Sequence, residues 1–117
     1  MKVEEIKPLQ KKISLIVKAG DTGEPREVML RDSGEMHRVA ELLVGDETAS
    51  ILLSLWDKNI EKIEKDRTYK IENAYTTIFK HSIRLNIGKY GSIEESAEGP
   101  ARLNEENNLS EKELSNE

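Results

Sequence analysis

Three aromatic side chains stand out in a chain that has few of them. The sequence contains one Trp, one Phe and three Tyr in 117 residues, and Trp56, Tyr75 and Phe79 fall within residues 44–79, at the ends of predicted elements. An aromatic ring at a protein surface can stack on one nucleobase, which contributes roughly 1–3 kcal/mol whichever base it is. These residues therefore predict a platform for stacking bases. Packing is the alternative, with Trp56 covering a neighbouring element and Phe79 plugging a loop.

Basic and polar side chains accompany the aromatic stretch. Lys80 follows it directly, and Arg84 and Asn86 are expected to point outward from the next strand. There a guanidinium group can contact phosphate and an amide can reach a base edge. Arg31 and Arg38 would widen this basic path, as would three lysines further upstream: Lys11, Lys12 and Lys18. Solvation or ion pairing with nearby acids is the alternative for all of these cations.

The residues required for catalysis or metal binding are missing. The chain has no Cys, which excludes disulfides, thiolate metal sites and a Cys nucleophile. Its two histidines, His37 and His81, lack the spacing of a metal site and are expected at the surface. No Gly-rich phosphate loop, GxSxG or HExxH motif occurs. We therefore expect a protein that is not an enzyme and that needs no metal or cofactor.

Alternating apolar residues predict strands before and within the aromatic stretch. Residues 13–19 alternate with period two, as do residues 49–56, where Ile51, Leu53 and Leu55 form the core side. Residues 26–44 are predicted as a long second strand, interrupted at residues 32–34 by a hairpin tip or a bulged bend. A helix over residues 36–43 is the competing interpretation.

The second half of the predicted fold contains a short helix and two strands. Asp57 is expected to cap a helix over residues 57–66. Strands follow at residues 68–74 and 82–88, and the loop 76–81 joins them. Tyr75 shares the parity of the core residues in its strand. To be exposed, it must therefore lie past the strand end or after a bulge. Three strands, a short helix and two strands are the order of the OB-fold, an all-β five-stranded barrel.

Charge and hydropathy divide the chain near residue 93. Residues 94–117 carry eight acids and two bases, which leaves 15 acids and 16 bases in residues 1–93. The low hydropathy of the C-terminal part predicts a disordered acidic tail after a barrel domain at 1–93. Residues 1–12 are expected to pack loosely over one end of the barrel. The chain lacks a long apolar run or a signal peptide, so we expect an intracellular, cytoplasmic and nucleoid-associated protein without membrane contact.

Several segments carry a resemblance to a known family. VGDET at 44–48, LSLW at 53–56, KIENAYTTIFK at 70–80 and LN at 85–86 resemble the simple archaeal single-stranded DNA-binding proteins, relatives of replication protein A, over about residues 3–93. The resemblance implies base stacking by Trp56, Tyr75 and Phe79. At the position of Tyr75, that family often has Trp. A long Gly- and Arg-rich linker is also typical there, whereas this tail is short and acidic, so the resemblance does not extend to tail-assisted binding of nucleic acid.

Binding of single-stranded DNA with little sequence preference is the function these observations favour, in replication, repair or recombination. The acidic tail would recruit replication or repair proteins or compete with DNA for the basic groove. Two alternatives stay open. Leu52 beside Trp56 on the outward face would suit a protein-interaction subunit of a replication-protein-A-like complex. Single-stranded RNA is the other ligand that stacking alone would accept.

Overall fold

Alternating apolar and polar residues form β-strands in the computed structural model, which describes residues 1–112 and all their side chains except that of Lys89. The strands are β1 (Ile13–Thr22), β2 (Arg26–Met29), β3 (Met36–Gly45), β4 (Ser50–Trp56), β5 (Thr68–Phe79) and β6 (Ser82–Glu95). Short 3-10 turns lie at Val3–Glu5, Asp57–Lys62, Glu105–Asn107 and Leu109–Glu111. Within residues 1–112, no helix is long and apolar enough to cross a membrane. The predicted all-β class is confirmed.

Five of the strands close into a barrel. The sheet order is β1-β5-β6-β4-β3-β2, and β1 also pairs with β3, which completes a ring of β1, β5, β6, β4 and β3. Neighbouring strands are antiparallel except β4 and β6, which run parallel. This five-stranded ring, with a short 3-10 turn between β4 and β5, is the predicted OB-fold.

The predicted second strand is a hairpin rather than one bent strand. Its first part, β2, pairs only with β3 in the sheet order and projects from the barrel as an arm. The tip contains Gly34 at φ +71°, a conformation that favours glycine. The helical alternative for residues 36–43 is wrong, because Val39–Gly45 form a continuous register with β4.

A bulge and a tight turn shape the β5–β6 hairpin. Asn73 adopts φ +56° where the register shifts between Glu72 and Ala74. This shift moves Tyr75 to the exposed side of the strand. Of the two predicted explanations for its exposure, the bulge is therefore correct. The predicted loop 76–81 is wrong: β5 continues to Phe79, which pairs with Ser82 across a two-residue turn.

Asp57 does not cap a helix. It lies inside the 3-10 turn at φ +50°, and the N-cap position is Trp56. The Asp57 carboxylate instead accepts hydrogen bonds from β3, at 3.1 Å from the Arg38 amide and 2.6 Å from His37 Nδ1. The prediction failed because these partners are about twenty residues away in the sequence.

The N-terminal segment is part of the core and does not pack loosely. Val3 is fully buried, and its amide donates to Asp46 Oδ2 at 3.0 Å. Burial works to raise the pKa of Asp46, but hydrogen bonds from Thr48, Val3 and Ala49 outweigh it and hold that pKa below its ordinary value. The carboxylate thus ties residues 1–6 to the turn between β3 and β4. Val3 and Ile6 join the apolar cluster that fills the barrel.

Residues 96–112 run along the barrel in place of the expected disordered tail, and we call them the C-terminal strap. The Ser96 amide donates to Thr68 O, and the Asn104 amide donates to Asp46 O, both at 2.9 Å. Leu103 packs so closely on Gly45 that an added Cβ there would lie 2.5 Å from its side chain. Residues 113–117, also part of the predicted tail, lie outside the described residues.

The strap ends in a seam of the barrel. The parallel strands β4 and β6 pair only at Leu53–Leu85 and Ser54–Asn86. Beyond these pairs, Ser110 Oγ accepts from the Leu52 amide at 2.9 Å and donates to Ile83 O at 2.6 Å. One serine hydroxyl therefore joins the two strands where they no longer pair directly.

Candidate nucleic-acid interface

The barrel brings the three predicted stacking residues to one surface. On β4 the core side carries Ile51, Leu53 and Leu55, so Ser54 and Trp56 face outward. Paired residues on neighbouring strands face the same side of a sheet. Ser54 pairs with Asn86, and Asn86 pairs with Tyr75, so Tyr75 also faces outward. Phe79, four residues beyond Tyr75 on the same strand, shares its side. We call this surface, marked by Trp56, Tyr75 and Phe79, the aromatic face.

The rings are separate and partly open to solvent. Trp56 and Tyr75 are each 36% exposed and Phe79 is 44% exposed. Tyr75 and Trp56 are two strands apart across the sheet and two residues apart along it, so their Cα atoms lie about 12 Å apart. The Cα atom of Phe79, four residues along β5, lies about 13 Å from that of Tyr75. At these separations the three rings do not stack on one another, so each keeps its own exposed surface.

A strained turn fixes the position of Phe79. The two turn residues, Lys80 and His81, have φ +50° and +65°. Positive φ at both central residues matches the two-residue hairpin turn that normally favours Asn-Gly. Neither residue here is glycine, and such backbone strain often marks functional sites. The turn places Lys80 Nζ 5.3 Å from the centroid of the Phe79 ring.

Arg84 is mostly buried and ion-paired, whereas the sequence suggested a side chain open to solvent. Its side chain is only 14% exposed and forms an ion pair with Glu41, a residue of β3. It also donates to Ser82 Oγ and to Ile83 O. Its guanidinium carbon lies 5.9 Å from the centroid of the Phe79 ring. Arg84 thus supports Phe79 from within the sheet, and Glu41 neutralises its charge.

Asn86 lies on the predicted side but is buried, with 7% exposure. Its Nδ2 donates to Thr77 Oγ1 at 2.9 Å on the neighbouring strand. The expectation of an exposed amide was wrong, because the amide turns along the sheet to the Thr77 hydroxyl.

Register separates the predicted arginines from the aromatic face. Val39 lies opposite Trp56, so its neighbour Arg38 points to the other side of β3, where its Nη2 is 3.6 Å from Glu61 Oε1. Arg31 is exposed at the tip of the β2–β3 arm. Sequence reasoning missed Arg26, which pairs with Val39 and so extends the row of Trp56. Only the arm's register, which the sequence left undetermined, could have identified it.

A charged cluster holds the turn that follows Trp56. His37 Nδ1 lies 2.6 Å from Asp57 Oδ2, and Nε2 lies 3.3 Å from Glu35 Oε2. The hydrogen bond between His37 and Asp57 raises the pKa of His37 and lowers that of Asp57. Among residues 1–112, no three His, Cys, Asp or Glu side chains form a group that could hold a metal ion.

The feature that favoured a protein-interaction module is partly covered. Leu52 is half-buried, and its amide is held by Ser110 of the strap. The outward surface near Trp56 is therefore less apolar than the sequence implied.

Known proteins with similar sequences share this fold. Residues 6–95 match a family described as single-stranded DNA binding protein Ssb-like, OB fold. A single-stranded DNA binding protein Ssb from Saccharolobus solfataricus is 34% identical over 97 residues, which are 83% of this chain and 64% of that protein. The chain thus spans a little under two thirds of the length of that relative.

Solved structures agree on the architecture. A hypothetical protein of Arabidopsis thaliana superposes with a TM-score of 0.81 at 28% identity, over 100% of this chain and 86% of that one. A chain of a replication protein A heterotrimer bound to single-stranded DNA gives 0.70 at 13% identity, over 84% of this chain and 25% of that one, and shows the fold alone. The chain belongs to the Ssb-like OB-fold family of single-stranded DNA-binding proteins.

Proposed function

We propose that this chain binds single-stranded DNA with little sequence preference, as a non-enzymatic protein of replication, repair or recombination. The observation that carries the proposal is the presence of three separate, partly exposed rings on one face of an OB barrel. Stacking on aromatic rings accepts any base, because every base has a π-face. The description of the matching family and the name of the Saccharolobus relative support the same ligand.

Phosphate contacts in this proposal come from cations at the two ends of the aromatic face. Lys80 lies beside Phe79, and Arg26 extends the row of Trp56. Neither forms an ion pair with another residue in the described part of the chain. Arg84, whose charge Glu41 neutralises, acts here by positioning Phe79, and Asn86 keeps β5 and β6 in place.

The acidic residues that follow the barrel have a separate proposed role. Glu98, Glu105, Glu106 and Glu111 remain exposed although the strap packs on the barrel. They would present carboxylates to basic surfaces of replication or repair proteins without occupying the aromatic face.

The test of this function is a fluorescence titration of the chain with oligo-dT at low and high salt. Trp56 is the only Trp of the sequence, so quenching of its emission reports a base on the aromatic face. We expect strong quenching whose midpoint shifts to higher DNA concentration with salt, because phosphate contacts release counterions. An unchanged spectrum with a folded protein would refute the proposal, and oligo-U in parallel measures the choice between DNA and RNA.

The salt dependence of DNA affinity distinguishes a cation that contacts phosphate from one that does not. Replacing Lys80 with Gln is expected to reduce the slope of log K against log salt by about 0.7, the value for one phosphate contact in a single strand. The double variant E41Q/R84Q replaces an ion pair with neutral amides, so its slope should equal that of the parent. Salt titrations with a labelled oligo-dT measure both. A reduced slope in the double variant would show that Arg84 does contact phosphate.

A further inference from the structure

A concave site adjoins the aromatic face. A cavity of about 390 Å³ is lined by Lys11, Lys12, Asn73, Tyr75, Gly88 and Tyr90. Its volume falls within the roughly 300–1,000 Å³ of small-ligand pockets. Tyr75 belongs to both the aromatic face and the cavity, so the two sites form one continuous surface.

The bulge of the β5–β6 hairpin creates this cavity. Direct pairing resumes only at Glu72–Ser92 after Ala74–Ile87, so residues 88–91 of β6 loop out opposite Asn73. Asn73 Nδ2 donates to Tyr90 O at 3.4 Å and ties the two sides of the bulge together. At the other side the Tyr75 ring lies close over Gly88, where an added Cβ would be 3.4 Å from Tyr75 Cε1. The tyrosine ring can lie there because position 88 has no side chain.

Tyr90 gives the cavity an aromatic wall. Its side chain is 82% exposed, the largest exposure among the large hydrophobic residues of the described chain. The backbone on which it stands is held by the bulge. A large ring in this position offers much apolar surface for a planar ligand and contributes little to the core.

The cavity is also basic. Lys11 and Lys12 precede β1 and line its rim. No ion pair among residues 1–112 includes either lysine, and no acidic residue of that range lines the cavity. A planar wall beside two unpaired cations matches the base and phosphate of a nucleotide.

We propose that this cavity is a further nucleotide subsite, which extends the path of a single strand beyond Tyr75. One base stacks on Tyr90, and Lys11 and Lys12 contact the phosphates that flank it. The proposal rests on the proposed function, because the occupant is the next nucleotide of the strand that crosses the aromatic face.

The test compares Tyr90→Ala with the parent on oligo-dT from about 4 to about 12 nucleotides, within the roughly 4–16 nucleotides that one OB-fold binds. The ratio of their Kd values should be near one on the shortest oligonucleotide, which the aromatic face accommodates alone. On the longer ones it should rise to about 5-fold or more, the loss of one stacked base. Tyr90→Phe keeps a ring and should match the parent. Trp56→Ala should weaken binding at every length.

The lysines have a matched test. The double variant K11Q/K12Q should reduce the salt slope by about 1.4 on the longer oligonucleotides, for two lost phosphate contacts. Lys2→Gln removes a charge near the turn between β3 and β4, beside Glu47, and should leave the slope unchanged.

The outcomes separate the subsite from the function. If the parent binds oligo-dT but Tyr90→Ala matches it at all lengths, the subsite is refuted and the proposed function stands. If the parent binds no oligonucleotide at any length, both are refuted.

Discussion

Trp56→Ala is expected to raise the Kd for oligo-dT by roughly 5- to 150-fold, the effect of about 1–3 kcal/mol from one lost stacking partner. Trp56 ends β4 on the outward side, and the hydrogen bonds from His37 and Arg38 to Asp57 fix the turn that follows it. Its ring is therefore presented on an ordered backbone and loses little conformational entropy when a base binds.

Measurement of this variant needs a reporter other than Trp fluorescence, because the substitution removes the only Trp. Anisotropy of a labelled oligo-dT supplies it, with thermal unfolding to verify that the variant is folded. Trp56→Phe is the matched control, since it keeps an aromatic ring and should retain most of the affinity. Equal Kd values for Trp56→Ala and the parent would rule out stacking at this position.

Ser110→Ala is expected to lower the free energy of unfolding by about 1–3 kcal/mol, the cost of leaving a buried hydrogen-bonding group without a partner. The hydroxyl accepts from the Leu52 amide and donates to the Ile83 carbonyl, and alanine can do neither. The Ile83 carbonyl keeps its hydrogen bond from Arg84, so the group left without a partner is the Leu52 amide. Because β4 and β6 have separated at this point, β6 offers no paired carbonyl that could replace the hydroxyl for this amide. A disordered tail would predict no change in stability at all.

Urea unfolding of the full chain measures this effect. Ser14→Ala is the matched control, since Ser14 is exposed on β1 and its substitution should stay within about 0.5 kcal/mol of the parent. An equally small effect of Ser110→Ala would mean that the strap does not hold the seam. The seam begins next to Ser82, whose partner across the hairpin is Phe79, so loss of the strap would also loosen one end of the aromatic face.

The strap escaped prediction for a compositional reason. Residues 96–112 contain few apolar side chains, and they attach through Leu103, asparagine amides and Ser110 rather than an alternating apolar pattern. Hydrogen bonds to backbone atoms more than fifty residues away leave no local signal in the sequence. Low hydropathy therefore indicated disorder where the barrel in fact supplies the partners.

Strands β1 and β4, the order of elements that leads to the OB-fold, and the outward positions of three aromatic residues could all be predicted from the residues alone. Period-two alternation depends only on local side-chain direction, so it can be read without the partner strands. The charged residues around the aromatic face could not be placed in this way. The pairing of β3 with β4 turned Arg38 away from Trp56, and the pairing of β2 with β3 placed Arg26 in the row of Trp56, on the far side of Val39. The ion pair between Glu41 and Arg84, 43 residues apart, neutralises the charge of a residue that the sequence predicted to be an open cation. These outcomes depend on register and barrel closure, which are set by long-range pairing and have no counterpart in local sequence.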